Sequence, residues 1–301
     1  MRSNRTVGYN FRFSVSKSVS LLFGMNDDSA ILDAFRAAVG ESMREMEGEM
    51  KCRVRNSGQN FDRTTGNMVW AEFVHTTSAP VNGLCDPQLH ASIFVFNMTW
   101  DNEQEQWKAG KFRDLKQDGP YFQAAFRVRM ANKLQDLGFG IEREEDDFEV
   151  AGIPSEVLDR FSRRTRLIEM LAAKQGITDP RWKREIGPRT REKKVATRVL
   201  RLGPKVWRSC LTESERQVLA SVYRRDTPAV RKVNGEALAV DQAIEHCFAR
   251  GPVVPERTLL TEALKLGLGA VTVEGVAREV ASRPFIRSDK AGRTMLMFDG
   301  H

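Results

Sequence analysis

Two of the four histidines in this 301-residue chain fall where chemistry can be built. His75 closes one alternating stretch, Met68 to His75, and His90 opens the next, inside Cys85-Asp-Pro-Gln-Leu-His-Ala-Ser-Ile-Phe-Val-Phe-Asn97. Side chains alternate across a strand, so His90 and Ser92 face the same way, together with Phe94 and Phe96. If the two stretches pair as antiparallel neighbours, the His75 ring approaches His90. Imidazoles meeting on one sheet face supply part of a metal site, but zinc and manganese normally take three or four ligands. A pair of half-buried, hydrogen-bonded histidines with no metal is the other reading of the same pattern.

The elements that must hold this pair follow from periodicity. Thr6 to Phe13 alternates as a strand, and Ser14 to Ser20 reads as a turn entering a helix. Asn26-Asp-Asp-Ser29 is an N-cap cluster, after which Ile31, Phe35, Val39, Met43, Met46 and Met50 recur at helical spacing. Thr64 to Asn67 is a turn before the Met68 strand, and Leu89 to Trp100 is a strand ending in the turn Asp101-Asn-Glu103. Gln123 to Leu137 reads as a helix stopped by Gly138, Glu142 to Val150 as a short hairpin, and Pro154 to Lys174 as a helix stopped by Gly176. The pattern predicts an α+β fold, a central antiparallel sheet flanked by helices, over residues 1–180. A basic helical or linker segment follows over 181–235. Leu238 to Ala249, Pro255 to Leu266 and Thr272 to Ala281 then read as three helices, and Phe285 to Phe298 as a hairpin. That order suggests a winged-helix-like module over 236–301, with a helical cap plus terminal hairpin as the alternative.

Composition excludes several classes. With 41% hydrophobic and 29% charged residues the chain has an ordinary globular balance rather than that of a disordered tail. It shows no run of eighteen apolar residues and no signal-peptide pattern, so a cytoplasmic location is expected. Cys52, Cys85, Cys210 and Cys247 lack the spacing of a disulfide framework or a zinc knuckle and read as free thiols. No GxxxxGK[ST] loop is present, which argues against helicase activity in this chain. The net charge of +7 is unevenly spread: Arg181 to Lys232 holds sixteen basic residues against five acidic ones. Such an excess attracts phosphate backbones, although a solvated linker has the same look.

Several motifs, in order, resemble one family. Gly8-Tyr-Asn-Phe-Arg-Phe-Ser-Val-Ser-Lys-Ser-Val-Ser20, Phe73-Val-His-Thr-Thr-Ser78, Asp86-Pro-Gln-Leu-His90 and Lys108-Ala-Gly-Lys-Phe-Arg-Asp114 are similar to stretches of the TrwC/TraI-type (MobF) conjugative relaxases, which are His-hydrophobe-His endonucleases. The likeness runs from about Thr6 to about Lys174. Asp241 to Val280 also resembles the region that joins such relaxases to a downstream helicase.

The resemblance implies a sheet on which three histidines hold a divalent cation (Mg, Mn or Zn) against the scissile phosphate. A tyrosine near the N-terminus attacks that phosphate and stays bound to the 5′ end of the nicked strand. The first metal ligand maps to His75, the second to His90 and the third to Ser92, whose hydroxyl is a poor substitute for imidazole. The family's Tyr-Asp is Tyr9-Asn10 here, so Asn10 stands where a carboxylate would orient a histidine ligand. The nucleophile is expected upstream of Gly8, where the seven residues present include no tyrosine; Tyr9, Tyr121 and Tyr223 lie outside that position and fit core packing.

These departures imply a relaxase-like DNA-binding protein of plasmid conjugative transfer with weak or absent metal and with nicking lost or impaired. The partner implied is single-stranded or hairpin DNA, held by the sheet face with Lys17, Lys108, Lys111 and Arg113. Arg189, Arg191, Lys193 and Lys194 would add non-specific affinity, and a helicase or other conjugation protein is a further expected partner. Two alternatives stay open: a fragment of an active relaxase lacking its N-terminal tyrosine segment, and a winged-helix regulator that binds DNA or protein.

Overall fold

The computed structural model describes residues 6–26, 28–190, 198–224, 235–290 and 292–298. Strand β1 (Gly8–Ser14) leads into α1 (Lys17–Asn26) and α2 (Ser29–Gly48). Asp28 caps α2 by accepting the Ala30 N–H at 2.8 Å, and Ile31, Phe35, Val39, Met43 and Met46 form its buried stripe. A hairpin follows, β2 (Lys51–Asn56) and β3 (Gln59–Thr64), then β4 (Trp70–Thr77) and β5 (Pro87–Phe96). The β2–β3 hairpin was not legible in the sequence because most of its residues are polar. Its turn is made by Ser57 and Gly58, both at positive φ (48° and 82°), as a tight two-residue hairpin connection requires.

Strands β1, β5 and β4 form the antiparallel sheet, with β5 in the centre. Leu89, Ala91, Ile93 and Val95 are buried on one face of β5. They share a core with Phe13 of β1, Phe35 of α2 and the helix α4 (Gly119–Asp136), whose Phe126 ring lies 5.1 Å from Phe13 and 6.0 Å from Phe35. Between β5 and α4 come a small hairpin, β6 (Thr99–Asp101) with β7 (Gln106–Lys108), and the short helix α3 (Arg113–Gln117). Beyond α4 stand a second small hairpin, β8 (Ile141–Glu144) with β9 (Asp147–Val150), and two helices, α5 (Ser155–Arg160) and α6 (Arg163–Lys174). The single helix expected over 154–174 is therefore broken at Phe161-Ser162. A tertiary contact accounts for the break: the Arg163 N–H, free at a helix start, donates to the Asp86 carboxylate at 2.8 Å.

The basic segment is helical where it is described: α7 (Pro180–Arg189), α8 (Arg198–Ser209) and α9 (Glu213–Arg224). It also packs on the sheet domain. The Trp207 indole N–H donates to the Cys85 carbonyl at 2.8 Å, Arg208 Nε to the Met25 carbonyl at 2.9 Å, and the Tyr223 hydroxyl to the Leu22 carbonyl at 2.6 Å. Gly24 permits the approach, since a Cβ there would lie 2.9 Å from the Trp207 ring. Arg160 holds α9 through two 2.7 Å bonds to Glu215, which also accepts the Thr212 N–H at 2.8 Å. The Arg160 guanidinium, with that N–H, keeps the Glu215 carboxyl down at about 2.

A carboxyl depressed in the folded state stabilises above its unfolded pKa, and the stabilisation fades as pH falls through the folded value. The docking of α9 should therefore weaken between about pH 4.5 and about pH 2. Acid unfolding followed by circular dichroism checks this, because Glu215→Gln should remove this component of the pH dependence.

The C-terminal unit runs α10 (Gly235–Phe248), β10 (Val253–Pro255), α11 (Glu256–Leu266), α12 (Val273–Ser282), β11 (Phe285–Asp289) and β12 (Thr294–Phe298). Its sheet order is β10-β12-β11, so the expected hairpin gains a three-residue third strand. The unit is fastened to the sheet domain. Asn132 and Gln135 of α4 donate to the Val271 and Gly269 carbonyls at 3.0 and 2.8 Å, Arg293 pairs with Asp118 at 2.6 Å, and Arg257 pairs with Glu49. No helix among the described residues is long and apolar enough to cross a membrane.

Candidate nucleic-acid site on the open sheet face

The face of β1-β5-β4 turned away from the helices is set out in rows by the strand register. Ser14, His90 and His75 stand opposite one another, then Arg12, Ser92 and Phe73, then Asn10, Phe94 and Ala71. Directly paired residues point to the same side of a sheet, so each row is a line of neighbouring side chains. The His75 and His90 rings lie 5.0 Å apart, stacked at 29°. Pairing of β4 with β5 becomes irregular just beyond this row, between His75 and Thr77.

His90 is 9% exposed, which makes it a buried residue on the otherwise accessible face of β5. Its Nδ1 lies 3.0 Å from the Gln88 carbonyl. A carbonyl can only accept, so Nδ1 carries the hydrogen and the lone pair of the neutral ring is at Nε2. Asn10 is a diagonal neighbour of Ser92, one row away. Phe73 is 54% exposed beside them, and Phe94 and Phe96 meet edge to face at 5.0 Å.

Under the start of β5 lies an acid that sequence reasoning did not assign to the site. Asp86 is 1% exposed; it pairs with the Arg163 guanidinium and accepts the Arg163 N–H at 2.8 Å, while its backbone carbonyl accepts the Ser78 N–H and its own N–H donates to the Ser78 hydroxyl. Burial pushes its carboxyl up, while Arg163 and Lys17 pull it down. Lys17 is drawn into the same network: its ammonium donates to the Pro87 carbonyl at 3.0 Å, and burial lowers its pKa against the attraction of Asp86 and Glu149.

The remaining basic residues are scattered. Lys108 pairs with Asp101 at 3.0 Å and Lys111 with Asp62, both intramolecular, and Arg113 is exposed at the start of α3. Arg189 ends α7, while Arg191, Lys193 and Lys194 lie outside the described residues. Register thus brings His75, His90, Ser92 and Asn10 together, and leaves Lys17, Lys108 and Lys111 in internal ion pairs or hydrogen bonds. It also adds Arg12 and Phe73, which alternation alone could have placed on this face.

All three tyrosines are committed elsewhere. Tyr9 points to the helix side, its ring 4.4 Å from Phe112 and under the Lys116 ammonium. The Tyr121 hydroxyl donates to Glu45 at 2.5 Å, and burial together with that carboxylate pushes its pKa up. Tyr223 is bonded to Leu22 as described above.

The profile of the TrwC relaxase family matches residues 1–214. The chain belongs to the TrwC relaxase family. Multifunctional conjugation protein TraI of Escherichia coli is 30% identical over 170 residues, which cover 54% of this chain but only 9% of TraI. A solved structure of conjugative relaxase TrwC in complex with mutant OriT DNA superposes with a TM-score of 0.63 at 30% identity, covering 69% of this chain and 76% of that one. A metal-bound TrwC–OriT DNA complex gives 0.62 at 27% identity, covering 74% and 76%.

Metal is therefore found in a solved TrwC relative, and the residues here can be tested against it. The two imidazoles are accompanied on this face by the hydroxyls of Ser92 and Ser14 and by an amide, not a carboxylate, at Asn10. No group of three or more His, Cys, Asp or Glu able to hold a metal exists among the described residues. The nearby acid, Asp86, is already bonded to Arg163. The set does not fit a tightly held transition metal.

Proposed function

We propose that this chain binds single-stranded or hairpin DNA of the kind found at a conjugative transfer origin, on the open face of β1-β5-β4, and does not cut it. The observation that carries the reading is the convergence of His75 and His90 at 5.0 Å on an accessible sheet face. Family membership supports it, as do solved TrwC relatives in complex with OriT DNA, one with a 27-mer comprising the recognition hairpin and the cleavage site. Exposed Phe73 offers a surface on which a base can stack. The basic helices after residue 180 add phosphate attraction that does not depend on sequence. Two features of these residues support binding without cutting: each tyrosine has a packing or hydrogen-bonding role, Tyr121 buried and Tyr9 and Tyr223 partly so, and the metal donor set is short by one imidazole.

Residues 235–298 follow the helix and strand order of a winged-helix module, and we read them so. Helix α12 bears Glu274 and Glu279 beside Arg278, an unfavourable face for phosphates, so the DNA contact is assigned to the sheet domain. A helicase or another conjugation protein is the protein partner that suits such a unit.

Proton NMR of the imidazoles tests the assignment. On adding a hairpin oligonucleotide with a single-stranded tail, the His75 and His90 ring signals should shift while that of His246, on α10, stays in place. DNA binding with shifts confined to His246, or with none, would contradict the site.

A further inference from the structure

The row next to the histidines contains a cation. Arg12 stands directly opposite Ser92, with Phe73 on the far side of the same row and His90 and His75 in the row beside it. Adjacent rows on one face are roughly 7 Å apart along a strand, and strands are roughly 5 Å apart, so an arginine side chain at position 12 is long enough to meet a group bound between Ser92 and His90. The strand is held in place, since the Gln123 side-chain amide donates to the Arg12 carbonyl at 2.8 Å. Arg12 is exposed. A positive side chain here repels a dication and attracts an oxyanion. Its planar donors match two phosphate oxygens at once, and the Ser92 hydroxyl can donate to a third acceptor.

We infer that the Arg12 guanidinium, with Ser92 and the His75–His90 pair, forms a metal-independent phosphodiester-binding site, the fixed cation standing where the family uses a divalent ion. This rests on the proposal that the sheet face receives DNA, and deepens it. The short metal donor set and the intrusive cation are then one adaptation: a face that binds the strand without polarising it for attack.

Three measurements on the full chain decide the point. In calorimetry with Mn²⁺ alone, the wild type should show no saturable one-to-one binding at micromolar concentration; such binding, abolished by His90→Ala, would overturn the inference. Fluorescence anisotropy with a labelled twenty-nucleotide single strand in EDTA should show undiminished wild-type affinity and at least a tenfold loss for Arg12→Ala. Arg12→Lys should recover part of that loss, because it keeps the charge but not the fork. Equal affinity of Arg12→Ala and wild type would also overturn it. Inorganic phosphate, followed by ³¹P NMR in EDTA, separates the two levels. Should the wild type bind no oligonucleotide, the DNA reading fails, and phosphate binding that Arg12→Ala abolishes still upholds the Arg12 site. Phosphate binding unaffected by Arg12→Ala, or absent from the wild type, would refute that site.

Discussion

Replacing Asp86 with alanine should lower the unfolding free energy by about 3–5 kcal/mol, the usual cost of removing one partner from a buried ion pair. Asp86 is 1% exposed and bonded to the Arg163 guanidinium and the Arg163 N–H. Alanine would leave that guanidinium beside the Cys210 sulfur with no anion, and the first turn of α6 without its acceptor. Lys17, already desolvated, would lose an attracting charge. Asp86→Asn retains an oxygen for the α6 N–H and should cost less. Urea unfolding measures both. A loss below about 1 kcal/mol for the alanine variant would mean that Asp86 does not anchor α6 and the entry to β5, and so does not position His90.

Changing Arg189, Arg191, Lys193 and Lys194 together to alanine should flatten the salt dependence of single-strand binding. Each phosphate neutralised contributes about −0.7 to the slope of log affinity against log salt, so four contacts amount to about 3. The physical ground is the local excess of positive charge, together with the anchoring of its N-terminal end: Arg164 of α6 donates to the Thr190 carbonyl at 2.9 Å, just after α7. Equilibrium binding at several salt concentrations reads the slope, and an unchanged slope would remove this segment from the DNA contact.

Local patterns in the sequence carried much of the sheet and little of what braces it. Alternation from Leu89 to Val95 and the helical stripe from Ile31 to Met46 correspond to core positions in the structure, because each reflects one buried face of one element. The approach of His75 to His90 needed only the antiparallel neighbourhood of β4 and β5, which the register provides. The break between α5 and α6 was hidden because its cause, Asp86, is 77 residues away from Arg163. The docking of α8 through Trp207 on Cys85, 122 residues apart, was equally silent in local composition, where the charge run read as a basic helical or linker segment. Lys17 and Lys108 looked like phosphate ligands by type, yet their partners, Pro87 and Asp101, are set by the fold. Arg12 shows the opposite case: its position in an alternating strand put it on the site face from the outset, and only the register revealed Ser92 and the histidines as its neighbours.

The open face of β1-β5-β4 is proposed to hold a single strand without breaking it. Incubation of the 301-residue chain with a labelled hairpin oligonucleotide carrying a transfer-origin cleavage site, in Mn²⁺ or Mg²⁺, tests it most directly when the same mixture is run on native and denaturing gels. The expected result is a retarded complex on the first and intact DNA, free of protein, on the second. A shortened strand, or DNA that stays attached to the protein after denaturation, would contradict it.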